Sequence, residues 1–247
     1  MSTIHTKVAA VLKFMDAVLE KSVVWGDIHI QISQQNKFIW KSADCVVILE
    51  QEGVACLDIS IWGGIYQDMQ MHTELSDVKT AQVHTVWMTP SRRYPFTAEM
   101  AVIRGNCKAD ELYALRKLEN TRCKLMETTQ AGDESIRIWG FDGNAENRML
   151  ALCDGNQMEL LTIAGRVQDM EYGYLTKNCL TRSFHKGNTK IYTASRINTD
   201  SDGGFAMAYL NVAQSGEQIQ FVWEGMVEPF CLDIHEGQEY QVDLDDR

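Results

Sequence analysis

Hydrophobic and polar residues alternate most strictly near the C-terminal end of the chain. Ile219, Phe221 and Trp223, then Phe230, Leu232 and Ile234, then Tyr240, Val242 and Leu244 occupy every second position. A period of two gives one wet and one buried face and predicts three strands. The intervening segments 224–228 and 236–239 each carry a glycine, Gly225 and Gly237, which suits tight reversals between antiparallel neighbours. Ahead of them Phe205 to Gln214 predicts a short amphipathic helix, so a helix packed on a meander is expected here.

The same plan is predicted twice upstream. Thr6 to Lys21 reads as a helix, with Val8, Val11, Leu12, Met15, Val18 and Leu19 in one stripe and Lys13 and Lys21 opposite, beside the small Ala10 and Ala17. Strands follow at Val23 to Ile32, Phe38 to Trp40, Cys45 to Leu49 and Val54 to Trp62, all rich in β-branched and aromatic residues. Gly63-Gly64 closes that run, and Ile65 to Met71 is expected to form a further short helix. Pro90 and Pro95 bracket an extended segment that reads as a boundary, dividing the chain into 1–92 and 93–247. Phe96 to Ile103 then predicts a strand and Ala109 to Asn120 a helix capped by Asn106, with Leu112, Leu115 and Leu118 buried. Arg116 and Lys117 point away from those leucines, and Lys108, Arg122 and Lys124 lie at its ends.

Strands at Cys123 to Thr129, Ser135 to Phe141 and Arg148 to Cys153 follow, joined by the hairpin sequences Asp142-Gly143-Asn144 and Asp154-Gly155-Asn156. Within an additional segment, about 158–198, strands are predicted at Leu160 to Val167, Tyr172 to Leu175 and Lys190 to Ile197, with their partners left open. The expected fold class is α+β, two similar domains of antiparallel sheet with short helices on one face. The alternative is a pair of β-rich barrel domains.

Composition narrows the function. The 247 residues are 45% hydrophobic, enough for one large or two small cores. A net charge of −11 excludes a surface that coats nucleic acid everywhere but leaves room for a local basic face. The seven cysteines are odd in number and scattered, as expected of reduced thiols rather than a disulfide framework or zinc site. With no apolar run of membrane-spanning length and no leader, an intracellular protein of cytoplasm or nucleus is expected, a virus-encoded one included.

Catalytic signatures are missing: there is no G-x-S-x-G, no phosphate-cradling G-x-x-x-x-G-K-[ST] and no G-x-G-x-x-G. The six histidines show no metal-ligand spacing. Asn198-Thr-Asp200-Ser-Asp202-Gly203 opens like a calcium loop, but Tyr209 stands where its final glutamate should be, which favours a hydrated loop. No catalytic residue, metal or cofactor is expected.

Three stretches carry a resemblance. They are Phe205-Ala-Met-Ala-Tyr209-Leu210 with the strands, Pro229 reversal and acidic end that follow it; Tyr94-Pro-Phe-Thr-Ala-Glu-Met100 with Ala109 to Leu118; and Lys7 to Lys21 with its strands. Together they resemble the DNA sliding clamps, the family of proliferating cell nuclear antigen and the phage polymerase clamps. The resemblance implies a homo-oligomeric ring, a trimer, closed by edge-to-edge strand pairing, with helices lining a channel around duplex DNA. Phosphate would be held without reading sequence by Lys7, Lys13, Lys21, Lys108, Arg116, Lys117, Arg122 and Lys124. DNA polymerase and a clamp loader would dock near the linker, around Val86, Trp87 and Met88.

Two other readings stand beside this one. Lys37-Phe38-Ile39-Trp40-Lys41 interleaves bases with aromatics, and Trp25 to Gly53 resembles the opening of an oligonucleotide-binding barrel, which implies a binder of single-stranded nucleic acid. The plainer reading of that strand buries Phe38 and Trp40 and turns Lys37, Ile39 and Lys41 outward. The third is a non-catalytic assembly protein, for instance of a virion, whose β-rich domains pack.

Overall fold

The computed structural model describes residues 7–23, 28–33, 37–49, 56–74, 83–109, 111–117, 123–141, 148–155, 157–224, 226 and 228–245. Among them are nineteen strands and no α-helix. The chain is therefore all-β, which corrects the α+β expectation. No helix among the described residues is long and apolar enough to cross a membrane. The chain forms two compact units, one of 1–106, 204–211 and 236–247, the other of 107–203 and 212–235.

The first unit holds three sheets. One has the order β3 (Phe38–Ser42), β4 (Cys45–Leu49), β1 (Val8–Asp16), β7 (Val83–Met88). A second has the order β2 (His29–Ile32), β5 (Cys56–Gly63), β6 (Tyr66–Glu74), and a third has β8 (Ala101–Asn106) between β16 (Gly204–Tyr209) and β19 (Glu239–Asp243). Alternate residues of the first two sheets meet in one core: Leu12, Phe14, Val46, Ile48 and Val86 from one side, Leu57, Ile59 and Ile61 from the other. Each of these two sheets thus keeps an outward face.

The second unit is built on a nine-stranded antiparallel sheet. Its order is β10 (Lys124–Leu125), β11 (Ser135–Trp139), β14 (Gly173–Thr176), β13 (Gln157–Arg166), β12 (Met149–Asp154), β15 (Lys190–Ile197), β9 (Leu112–Lys117), β17 (Glu217–Trp223), β18 (Phe230–Ile234). The sheet curls until β10 lies beside β15, around a core that includes Ile138, Leu150, Leu152, Ile163, Tyr174 and Phe184. The hairpin predicted at Asp154-Gly155 joins β12 to β13, with Gly155 at φ 60 as such a turn demands. The Asp142-Gly143-Asn144 turn lies outside the described residues.

All four expected helices are corrected, for two reasons. Thr6 to Lys21 contains β1 and the turn after it, Ala109 to Asn120 contains β9, and Phe205 to Gln214 contains β16. These strands lie inside sheets or have both faces covered: β1 pairs with β4 and β7, β9 with β15 and β17, and all six residues of β16 are buried. β9 and β16, buried on both faces, lose their alternation, and β1 carries the apolar Val8, Val11 and Met15 on its outward face, so each apolar run satisfies a helical stripe equally well. Ile65 to Met71 is the end of a turn and the start of β6 for the opposite reason: Asp68, Gln70 and His72 are exposed and Met69 and Met71 packed inward, a period of two that outweighs the helical one. The C-terminal meander is corrected as well. β17 and β18 form a hairpin, but β19 pairs in parallel with β8.

Candidate functional site

The outward face of the β3-β4-β1-β7 sheet is built by register. Ile39 pairs with Val47, Val47 with Val11, and Val11 with Val83, so one apolar row crosses all four strands. Its ends are open to solvent, with Ile39 45% and Val83 47% exposed, and Val8, 36% exposed, stands in the next row opposite Leu49. Lysines frame the row. Lys37 accepts the Leu49 N–H at its carbonyl, 2.9 Å away, which sets it level with Leu49 and Val8, and Lys13 lies opposite Cys45 and Thr85. Lys41 sits at a bulge where the register steps from Trp40 to Ser42. Lys37 and Lys41 are exposed while Phe38 and Trp40 are partly buried against the core, as the plainer reading of that strand expects.

Behind this face Asp44 closes the β3–β4 turn, accepting hydrogen bonds from Ser22 and Ser42. Those bonds, with Lys13 adding to them, hold its carboxyl below the usual aspartate range. Burial raises the Cys45 thiol, helped by neighbouring Asp44 and opposed by Lys13. Burial alone pushes Cys123 up to about 12, and it carries Cys153 to about 11 against the pull of Lys190. These thiols stay protonated at neutral pH and lack the thiolate a nucleophile needs.

The residues expected to hold phosphate are placed as follows. In the first unit, Lys7 is exposed just ahead of β1, Lys13 is half-buried within it and Lys21 is exposed in the turn after it. In the second, Lys108 is exposed after β8, and Arg116 and Lys117 are consecutive in β9 and so project to opposite faces. Arg116 is committed to Glu217, donating from Nε at 2.6 Å and from its terminal nitrogen at 3.0 Å. Lys124 sits 5.6 Å from the Trp139 ring centre. Arg122 lies outside the described residues. Among the described residues no helix face gathers them.

Of the expected partner groove, Val86 and Met88 are buried in the first core, whereas Trp87 pairs with Met15 on the opposite side of the sheet. Asp202 donates its N–H to Asp200 Oδ1 at 3.0 Å, an Asx turn, and among the described residues no three His, Cys, Asp or Glu side chains converge on a possible metal. The apolar row itself escaped the sequence because strand pairing brings Val11, Val47 and Val83 together from distant positions. Only the Lys37 to Lys41 alternation pointed towards it.

Comparison of the chain with protein-family models, curated proteins and solved structures finds no match to any of them.

Proposed function

We propose that this chain is a non-catalytic assembly protein that captures an acidic, extended segment of a partner along the β3 edge of its first unit. The observation that carries this reading is the exposed Ile39 at the β3 end of the apolar row, set between the exposed Lys37 and Lys41 on an acidic protein. Exposed apolar residues grouped on one face are a mark of contact surfaces. Among the described residues no strand pairs with the outer edge of β3, so its backbone groups can template another strand. Antiparallel pairing with a second copy, centred on Ile39, would set Lys37 against the other copy's Lys41, and like charges opposed across strands are unfavourable. A strand with acidic residues flanking an apolar one at alternate places answers both lysines and covers Ile39. Phosphate backbones offer nothing to Ile39, which favours a peptide over duplex DNA.

A fluorescein-labelled peptide with a Glu-Thr-Val-Thr-Glu core, titrated by anisotropy, tests this. Saturable binding is expected, weakened by salt and lowered at least about tenfold by Lys37→Glu with Lys41→Glu, a factor equal to about 1.4 kcal/mol. No saturation by about 1 mM, equivalent to binding weaker than about 4 kcal/mol, or binding of a duplex oligonucleotide in its place, rejects it.

A further inference from the structure

The outward face of the β2-β5-β6 sheet is furnished differently, and we infer that it binds a neutral carbohydrate. This goes beyond the assembly reading and rests on another sheet. The inward side chains, Ile30, Ile32, Leu57, Ile59, Ile61 and Met71, belong to the first core. The outward ones fall into rows by register. In the first row His29 lies opposite Trp62, their rings 5.8 Å apart and tilted by 31°, and Trp62 stays 38% exposed. The second row places the Gln31 amide, the Ser60 hydroxyl and the Gln70 amide side by side. In the third, Asp58 lies opposite His72, with Oδ1 and Nδ1 2.7 Å apart, and the Asp58 N–H donates to Ser33 Oγ at 3.2 Å.

Strands spaced about 4.8 Å apart and alternate residues about 6.8 Å apart make this a grid. It offers an aromatic ring at one end, then two amides with both donors and acceptors, then a carboxylate and an imidazole. A sugar ring presents the complementary pattern, an apolar C–H face with hydroxyls around its edge. The C–H face suits Trp62, and the hydroxyls suit groups that can both donate and accept. Ligand charge is selected too. Strands β2, β5 and β6 contain no Lys or Arg, while Asp58 and the exposed Asp68 are on them. A phosphate- or sulfate-bearing ligand would meet carboxylates with no Lys or Arg on these strands to pair with, which disfavours nucleic acid and sulfated glycans.

The test is a panel of immobilised neutral and sulfated oligosaccharides probed with the full chain, followed by calorimetric titration of the best neutral ligand. At least one neutral oligosaccharide should be retained. Trp62→Ala and Gln70→Ala should each weaken it about tenfold or more, whereas Lys37→Glu with Lys41→Glu should leave it unchanged. Retention of sulfated glycans only, of none, or of a neutral glycan indifferent to both grid variants overturns the inference. Gln70 is exposed, so its variant keeps the test decisive if Trp62→Ala unfolds. Because the lysine variant acts on the other sheet, failure here and failure of peptide capture are separately visible.

Discussion

Tyr94 donates its hydroxyl hydrogen to Asp16 Oδ2 at 2.6 Å, tying the end of β1 to a segment 78 residues further along the chain. Tyr66 donates to the same oxygen at 2.9 Å, and Oδ1 accepts the N–H groups of Val18 and Leu19, each at 2.8 Å. A carboxylate only 3% exposed thus has four donors, the condition under which a buried charge is tolerated.

Removing that carboxylate strands four donors at once. Asp16→Ala should lower the stability of the protein by about 3 kcal/mol or more, because each buried unpaired polar group costs about 1–3 kcal/mol. Tyr94→Phe, which removes a single donor, should cost about 1 kcal/mol. Urea denaturation followed by tryptophan fluorescence measures both, and equal losses would contradict the shared-acceptor arrangement.

The same bond sets an alkaline limit. Burial first, then the bond to Asp16 and its charge, raise the Tyr94 hydroxyl well above the usual tyrosine range. The unfolded chain releases this proton near pH ~10 while the folded chain retains it, so the contribution is complete below that value and is lost as pH rises above it. Denaturation midpoints measured from about pH 8 upward should fall more steeply in the wild type than in Tyr94→Phe, by close to one proton in the linkage slope.

Gly105 admits no side chain. A Cβ there would lie 2.6 Å from Phe205 and from Val242 Cγ2, and 2.7 Å from the Val242 carbonyl oxygen. It occupies the central strand of the β16-β8-β19 sheet, whose neighbours arrive from residues 204–209 and 239–243. Gly105→Ala should destabilise by about 1–3 kcal/mol through overpacking, read by calorimetry, whereas Gly64→Ala, with nothing near its would-be Cβ, should be close to neutral.

In the second unit, burial would raise the Glu217 carboxyl, but its bonds with Arg116 and with the Ala213 N–H outweigh this and leave it below the usual range. A depressed carboxyl contributes stability above its unfolded value, near pH ~4.3, which is lost as pH falls through the folded one. Glu217→Gln should therefore cost about 2 kcal/mol at neutral pH, the scale of a hydrogen-bonded charge, and progressively less in acid. An acid titration of thermal midpoints follows this, and a cost that grows on acidification would refute the assignment.

Thiol labelling reports the raised cysteines. Cys179 is exposed, whereas Cys123 and Cys153 are half-buried with thiols held high. Maleimide at neutral pH should modify Cys179 first and reach the other two only on unfolding, with mass spectrometry of tryptic peptides giving the order.

Periodicity alone located many strands. Cys45 to Leu49 is β4, Ile219 to Trp223 and Phe230 to Ile234 lie in β17 and β18, and the strands foreseen within 158–198 are those observed. Each has enough contrast between its two faces, or a sharp enough turn at its end, to be read from nearest neighbours. Lys37, Ile39 and Lys41 were likewise legible as an outward set. Tertiary structure decided what β1, β9 and β16 are, because β9 and β16 are covered on both faces and β1 carries Val8, Val11 and Met15 on its outward face, so none has a wholly polar side to mark its period. It also decided which strands meet: β8 takes β16 and β19 as partners, and Ile39, Val47, Val11 and Val83 become one row. Side-chain order along a chain records how wet each position is. Pairing is settled by hydrogen bonds and packing between segments far apart in sequence, and no local pattern carries that information.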